Sequence, residues 1–416
     1  MKTSSLSAFR AVASAALFLI VQTGLSANEA THWNRVAVDA TTQAMPDDPL
    51  SESRILAMVH VAMHDAANAV EPRFRAFSSG PSAYRGGSVD AAIATAARVT
   101  LAELVATSAA QFDAEYERRL ALLPNGDAKI RGIAAGQAAA ALILNARRAD
   151  GADKHIEVKA GTASGEYRPT PPELSPALMG HWGKLRPFVL TSAKQFRPAP
   201  PPTAGSDLAR QEIETVRRIG GVDSNQRSHE QSEIACYWYE HSTRSWNRIA
   251  RDVGSAHHLD AWDQARVLAL LNLALADGFI AGFEAKYHFY TWRPVSAVRA
   301  SDDAGWLSYL SNPPVPDYPS TPTVLGAAAA TVLARAFGSD YVSFAMTSGQ
   351  PYSHITRRFW SFSQAARENG ASRVLAGIHF PSAVDAGYQQ GAAIGEWTYQ
   401  RALQRLEPAP SLAVKQ

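Results

Sequence analysis

The chain has 416 residues, of which 46% are hydrophobic and 19% are charged, the balance of a folded globular protein rather than a disordered one. Its formal net charge is +2, and the first 27 residues carry two positive and no negative charges, which leaves +2 − 2 = 0 for the remainder. Without a basic surplus, neither nucleic acid nor an anionic membrane surface is expected as a partner.

The N-terminus predicts an export signal. Two basic residues, Lys2 and Arg10, precede the apolar run Ala11–Val21, and small residues follow it. This run is too short to span a bilayer as a helix, and the pattern is that of a cleaved secretory signal peptide. We therefore expect residues 1–27 to be a signal peptide, and the mature protein to be periplasmic or secreted without a membrane span.

Helical periodicity dominates the rest of the chain, because apolar residues recur at steps of three and four. The segments with this pattern are Arg54–Val70, Val89–Ser108, Ala128–Arg148, Asp207–Ile219, Ala261–Trp292, Pro322–Phe337 and Ala383–Leu406. No convincing series of strands accompanies them. The expected fold class is therefore all-α.

A long region from about Asp150 to Gly205 interrupts the helices with many Pro, Gly, Ser and Thr residues. It predicts an irregular connection that wraps the surface or lines a site. We expect it to join an N-terminal helical half, residues 28–205 including the connection, to a C-terminal domain, residues 206–416. The segments Trp33–Ala37 (WNRVA) and Trp246–Ala250 (WNRIA) echo each other and hint that the two halves are related.

Three further groups of residues have structural interpretations. Cys236 is the only cysteine, so no intramolecular disulfide forms, and its apolar neighbours favour a buried thiol. His60 and His64, with Asp65, have the one-turn spacing of metal ligands but no clear third ligand, which favours a role in the core. His257 and His258 are predicted to lie in a polar loop.

Lys286 and Arg293 are seven residues apart, a spacing that brings two side chains to nearly one face of a helix. Tyr290 is expected on that face as well, and Pro294 would end or kink the helix. Long cations among aromatic residues suit an anion site. The alternative is a solvated basic stripe, which is the usual arrangement for such a pair.

Two further segments carry oxyanion chemistry. Ser320-Thr321-Pro322 precedes an apolar run and predicts a helix start, whose free N–H groups can bind an anion or simply be capped. Arg373 and His379 lie six residues apart. Arginine offers a planar fork to two oxygens, and the imidazole can attack phosphorus or ligate vanadium, although a lone histidine is more often structural. Together the three segments predict a site for a tetrahedral oxyanion.

At these residues the sequence resembles the vanadium-dependent haloperoxidases and the type 2 phosphatidic-acid-phosphatase superfamily, in its soluble bacterial haloperoxidase-like branch. The family's Lys-x6-Arg-Pro and Ser-Arg-x5-His patterns are matched at Lys286, Arg293 and Pro294 and at Ser372, Arg373 and His379. Its Pro-Ser-Gly-His pattern is matched at Pro319 and Ser320 only, followed by Thr321 and Pro322. Further similar segments lie at 57–66, 231–235, 246–250 and 362–366, so the resemblance covers most of the mature chain.

The resemblance implies an all-α fold of helical bundles and assigns roles to these residues. The equatorial oxygens of vanadate, or of phosphate in the same site, would be bound by Lys286, Arg293, Ser320, Arg373 and the backbone N–H of Thr321. His379 would be the axial vanadium ligand of a peroxidase or the phosphohistidine nucleophile of a phosphatase. Phosphatases often have a carboxylate four residues after this histidine, where this chain has Ala383, so Asp385 is the nearest candidate to orient it.

The family's acid–base histidine has no counterpart at Pro322. Loss of such a group typically costs on the order of 10²–10⁴-fold in rate. Tyr290 is one candidate to replace it, and His354, in a loop-like stretch, is another if it folds over the pocket. His288 is expected to point away, because it lies about 200° around the helix from Lys286.

The favoured function implied by the resemblance is an exported vanadate-dependent enzyme that oxidises halide with hydrogen peroxide. One alternative is a phosphatase that hydrolyses a phosphoester through a phosphohistidine at His379. A second alternative is a non-catalytic protein that binds oxyanions and has lost its proton relay. All three use a small-molecule ligand and the same cage of cations.

Overall fold

The computed structural model describes residues 28–78, 80, 84–301, 303–349, 351–352 and 354–406. The predicted signal peptide, residues 1–27, lies outside these ranges. Thirteen α-helices occur in the described part of the chain. They are α1 Glu29–Ala44, α2 Pro49–Val70, α3 Val89–Leu104, α4 Ala109–Ala121, α5 Asp127–Arg147, α6 Asp207–Ile219, α7 His229–Tyr237, α8 Ser242–Ala256, α9 Ala261–Phe289, α10 Pro294–Arg299, α11 Thr321–Phe337, α12 Phe362–Leu375 and α13 Pro381–Arg401.

Two short strands, β1 Phe344–Thr347 and β2 Thr356–Phe359, form an antiparallel pair with Phe344 opposite Phe359. Met346 and Phe359 are buried in the core, whereas the alternate positions face outward, as expected for a strand pair with one buried face. Along the chain, the two strands lie between α11 and α12. Because the rest of the regular structure described is helical, the expected all-α fold class is confirmed.

Helix α9 is the centre of the core. It is 29 residues long, it is capped by the Asp260 side chain, which accepts from Asp263 N, and it is apolar all round, as buried helices are. By length and composition it could cross a membrane, but 94% of its most apolar window is buried inside the protein. Side chains of α2, including Met58 and Val61, share one apolar cluster with Leu270 and Leu273 of α9. Both predicted halves therefore contribute to the core around α9, and the division at residue 205 stays a prediction.

Helices α11 and α13 are in backbone contact along a row of glycines. Gly387, Gly391 and Gly395 lie on one face of α13, and a Cβ at Gly391 would fall 2.1 Å from the backbone oxygen of Val324 on α11. At the N-terminal end of this contact, the backbone N of Ser320 donates to the oxygen of Ala383, at 2.8 Å. The close packing thus brings the start of α11 against the start of α13. His379 lies two residues before α13.

The connection between Asp150 and Gly205 is irregular, as predicted, apart from a 3-10 turn at Trp182–Lys184. It is attached to α9 by Asp277, a fully buried carboxylate that accepts from three consecutive backbone N–H groups. These belong to Phe188, Val189 and Leu190, at 2.6, 2.7 and 2.9 Å. Such multiple acceptance satisfies a buried charge and fixes the course of a chain that has no helical hydrogen bonds of its own.

The two echoed segments, WNRVA on α1 and WNRIA on α8, meet in the core. Asn34 Nδ2 donates to Asn247 Oδ1 at 2.7 Å, and its other N–H reaches His60 Nε2 at 2.8 Å. Arg251 donates to Asn34 Oδ1 at 2.8 Å, which fixes the orientation of that amide because a guanidinium only donates. His60 therefore accepts at Nε2 and donates from Nδ1 to Leu56 O, at 2.6 Å. It is a structural histidine, and it is neutral.

Acid is expected to destabilise the protein through His60. Burial lowers the pKa of His60 to about 4, so between pH 6.5 and 4 the unfolded chain binds a proton that the folded chain refuses. Stability from this residue is present above pH 6.5 and is lost as the pH falls, by about 3 kcal/mol in total. Chemical denaturation of the wild type and of His60→Asn at pH 7 and pH 4.5 measures this loss. The variant, which has no group that titrates in this range at position 60, should lose about 2 kcal/mol less than the wild type over that interval.

Candidate functional site

Lys286 and Arg293 do not share one helix, contrary to the sequence prediction. Helix α9 ends at Phe289, and Tyr290 adopts a left-handed conformation with φ 52°. Arg293 is then extended, with ψ 157°, and precedes α10, which has Pro294 at its first position. A residue before proline is driven out of the helical region, so the chain turns between the two cations. They meet through this turn rather than through helical periodicity.

Lys286 lies at the buried end of α9 and is held by backbone oxygens. Its Nζ donates to Pro316 O at 2.7 Å and to Asp317 O at 2.8 Å, which uses two of the three N–H groups of an ammonium. Burial, and then the charge of Arg293, lower the pKa of Lys286 well below its ordinary value. One N–H is therefore left for a ligand, in a place where a negative charge would stabilise the ammonium.

Arg293 is clamped in the same way. Its Nε donates to Val315 O at 2.8 Å and its Nη1 to Ile378 O at 2.8 Å. The same Nη1 lies 3.1 Å from His379 Nε2. These contacts bring the segment before α11 and the segment before α13 to one guanidinium. Nη2 has no hydrogen bond to the described residues, so its two N–H groups are available.

Arg373, in the last turn of α12, is a buried cation whose guanidinium lacks hydrogen-bond partners in the described part of the chain. It is 5% exposed, and its Nε and Nη2 have no hydrogen-bond partner among the described residues. Burial lowers its pKa to about 10, which still leaves the guanidinium cationic at neutral pH. A buried cation with free donors is costly unless an anion completes it. Its charge also lowers the pKa of His379, which places it within electrostatic reach of that ring.

The ring of His379 is neutral and has a defined tautomer. Burial, and then the charges of Arg293, Lys286 and Arg373, hold its pKa well below the ordinary value. Because a guanidinium only donates, Nε2 must accept from Arg293, and the proton must therefore be on Nδ1. An unprotonated Nε2 among cations is the atom that a nucleophile or a metal ligand requires.

Asp317, rather than Asp385, is the carboxylate at His379. Its Oδ1 lies 2.8 Å from His379 Nδ1 and 3.8 Å from Arg293 Nη1. The contact with His379 is close but is not aligned as a hydrogen bond. Burial raises the pKa of Asp317 to about 7, opposed by Arg293 and Lys286. Asp385 is exposed, on the outer side of α13, whereas His379 is 1% exposed.

The start of α11 has the expected position, with one difference in its cap. Ser320 is the N-cap residue and is fully buried, but its hydroxyl makes no capping bond. It accepts instead from Thr323 Oγ1, at 2.9 Å, so its own proton is free for an anion. The Thr321 side chain faces α9, 3.5 Å from the Cβ position of Gly282, which leaves its first-turn N–H as the donor.

The two predicted substitutes for the missing histidine, Tyr290 and His354, lie away from His379, and His288 points to solvent as predicted. Tyr290 donates its hydroxyl proton to Lys159 O in the connection, and it does not share a helix face with Lys286. His354 is exposed, as is His288, whose Nε2 lies 3.2 Å from Arg197 Nη1. Pro322 is half-buried at the second position of α11. Lys286 is instead the proton-bearing side chain next to Arg293 and Asp317.

Removal of the charge of Asp317 should change the tautomer of His379. In Asp317→Asn the amide can present N–H to Nδ1, which favours the tautomer with the proton on Nε2 and blocks the ligand atom. We expect orthovanadate affinity to fall by about 10- to 100-fold. Isothermal titration with orthovanadate measures this loss. Asp385→Asn, an exposed change on α13, is the matched control and should bind as the wild type does.

The family model described as the VCPO second helical-bundle domain matches residues 266–408. This range includes the residues of the oxyanion cage, which are Lys286, Arg293, Ser320, Thr321, Arg373 and His379. A vanadium chloroperoxidase from Curvularia inaequalis is 24% identical over 272 residues. That match covers 48% of this chain and 45% of the Curvularia protein, so it spans less than half of that relative's length.

Solved structures give a broader match. A bacterial vanadium-dependent iodoperoxidase is 26% identical, superposes with a TM-score of 0.80, and is matched over 91% of this chain and 98% of its own. A bacterial vanadium-dependent chloroperoxidase in its holo form is 17% identical, with a TM-score of 0.70, over 88% and 95% of the two chains. The second likeness shows the fold alone.

Proposed function

Because this chain belongs to the vanadium haloperoxidase and type 2 phosphatidic-acid-phosphatase superfamily, we propose that it is a vanadate-dependent haloperoxidase. It would oxidise halide with hydrogen peroxide, and it would be exported by the signal at residues 1–27. The observation that carries the proposal is the buried guanidinium of Arg373, whose free donors lie within electrostatic reach of the neutral ring of His379. A tetrahedral oxyanion fits this donor set, because it supplies both the missing negative charge and the missing acceptors.

The hydrogen-bond donors that have no protein partner are the groups that would hold the anion. They are the third N–H of Lys286, the Nη2 of Arg293, the fork of Arg373, the hydroxyl of Ser320 and the N–H of Thr321. His379 Nε2 would be the single protein ligand to vanadium. Bound vanadate would supply Lewis-acid activation of peroxide towards attack by halide.

The protein's own groups would prepare that chemistry in three ways. The carboxylate of Asp317, 2.8 Å from His379 Nδ1, favours a proton on that nitrogen, so the lone pair of Nε2, which accepts from Arg293 Nη1, would be the one offered to vanadium. The backbone oxygens of residues 315–317 hold Lys286 and Arg293 in place before any ligand arrives, which is the preorganisation that electrostatic catalysis needs. The lowered pKa of Lys286 makes its ammonium a readier proton donor than an ordinary lysine. We propose that Lys286 would protonate the oxygen that leaves the peroxide, a role for which position 322 offers no imidazole.

A pair of assays on the purified full chain tests the proposal. The protein is freed of oxyanions by dialysis and then assayed with peroxide and iodide or bromide, with and without orthovanadate. Halide oxidation that requires orthovanadate supports the proposal.

Hydrolysis of p-nitrophenyl phosphate that orthovanadate inhibits, without halide oxidation, selects the phosphatase instead. Tight orthovanadate binding with neither activity selects the non-catalytic oxyanion binder, and fractionation of cells expressing the full chain tests export.

A further inference from the structure

A second cavity lies beside the oxyanion site and differs from it in chemistry. Its volume is about 460 Å³, and it opens to solvent between α6, the proline-rich end of the connection and the turn between α9 and α10. Four aromatic side chains line it, from Phe289, Trp292, Tyr318 and Phe380. Prolines 200–202 form part of its wall, so much of the lining is stiff as well as apolar. We refer to it as the side cavity.

The polar side chains of the side cavity include two carboxylates, and no lysine, arginine or histidine of the described chain lines it. Glu212 of α6 is 7% exposed. Its two oxygens accept from Ser382 N at 2.6 Å and from Ser382 Oγ at 2.8 Å, but no described basic group forms a salt bridge with it. Burial raises its pKa accordingly. Glu212 is therefore a buried carboxylate that faces a cavity and lacks a cation.

Asp317 is the second carboxylate and separates the two sites. It lines the side cavity, and its Oδ1 contacts His379 on the side of the oxyanion cage. The two pockets thus meet at one residue but have opposite preferences. The cage carries three cations and selects an anion, whereas the side cavity carries two carboxylates and repels one. A halide, a vanadate or a phosphoester is poorly suited to enter through it.

We propose that the side cavity binds an organic ammonium with a compact aromatic body. The ammonium would pair with Glu212, and the aromatic body would pack among Phe289, Tyr318 and Phe380. Aromatic faces attract cations, and a carboxylate beside them adds a charge partner. The indole of Trp292 already has a cation near it outside the cavity, since the Arg168 guanidinium lies 5.8 Å from its centroid. This inference goes beyond the proposed function and does not depend on it.

Three probes of one shape test the charge preference. The full-length protein is titrated calorimetrically with 2-phenylethylamine, 2-phenylethanol and 3-phenylpropionate, at pH 7.5 without vanadate or peroxide, and with saturating phosphate so that the carboxylate does not bind in the oxyanion cage. The amine should bind at least about tenfold more tightly than the alcohol, and the carboxylate should bind most weakly. Equal affinity for the amine and the carboxylate, or no binding of the amine below about 10 mM, overturns the proposal.

Two variants of α6 locate the binding. Glu212→Gln should weaken amine binding about tenfold and leave alcohol binding unchanged, which also shows that the variant is folded. Glu214→Gln, on the same helix but exposed and paired with Arg217 at 2.8 Å, should bind all three probes as the wild type does. If Glu212→Gln does not fold, Ala209→Phe serves instead, because Ala209 lines the cavity and a larger side chain fills it. Retained amine binding in that variant also overturns the proposal.

Discussion

His379→Ala is expected to reduce orthovanadate-dependent halide oxidation by at least about 10³-fold, to the background rate. The substitution removes Nε2, the one neutral ligand atom among the cations. It also leaves the carboxylate of Asp317 and one N–H of Arg293 without their partner, so stability should fall by about 1–3 kcal/mol. Initial rates at fixed orthovanadate, peroxide and iodide give the activity, and thermal denaturation with circular dichroism reports the fold.

His288→Ala is the matched control for this prediction. His288 is exposed at the end of α9, with its ring against Arg197 rather than in the cage. Its loss should leave the rate within about twofold, since surface substitutions away from special features have small effects. Undiminished turnover in a folded His379→Ala protein would show that another residue holds the cofactor.

Arg373→Met should change stability and anion binding in opposite directions. Without an anion, Arg373 is a buried cation with unmet donors, and methionine fills a similar volume without that penalty. We therefore expect the anion-free variant to be more stable than the wild type by about 1–3 kcal/mol. Its affinity for orthovanadate or phosphate should fall by about 10²–10³-fold, because a fork of charged hydrogen bonds is lost.

Denaturation curves with and without saturating phosphate measure both effects. Phosphate should raise the melting temperature of the wild type, since a ligand that binds only the folded state stabilises it. The same addition should leave Arg373→Met nearly unchanged. A variant that is less stable than the wild type in phosphate-free buffer would instead mean that Arg373 has a structural partner, and that the cage is complete without an anion.

The helical fold could be predicted where burial imposes a period. Segments such as Pro322–Phe337 and Ala383–Leu406 have apolar residues at helical steps, and their helices appear at Thr321–Phe337 and Pro381–Arg401. Helices α1, α4, α7, α8, α10 and α12 were not predicted; α7 and α10 have only nine and six residues, too few for apolar residues to repeat over several turns. The start of α9 at Ala261 was predicted, but its C-terminal end was not, because the left-handed turn at Tyr290 depends on contacts with the connection rather than on periodicity.

The cage residues were identifiable by type and spacing, but their arrangement was not. Lys286 and Arg293 are oriented by carbonyl oxygens of residues 315–317, a coil segment without any repeating pattern. Asp317 was missed for the same reason. One signal was present, since this carboxylate stands three residues before Ser320 in a proline-rich stretch that leads directly into the site. Asp385 was placed by its spacing from His379 alone, and the helix turns it outward.

The clamp between Asp277 and residues 188–190 bears on how such a protein can diversify. Asp277 and Lys286 belong to the same rigid helix, so the segment that walls the side cavity and the cation that anchors the cage share one support. Substitutions at residues 200–204, which line the side cavity, would change which small molecules bind there without removing the hydrogen bonds that hold Lys286 to residues 316 and 317. Evolution can therefore change the ligand specificity of the side cavity while the residues of the oxyanion site are conserved.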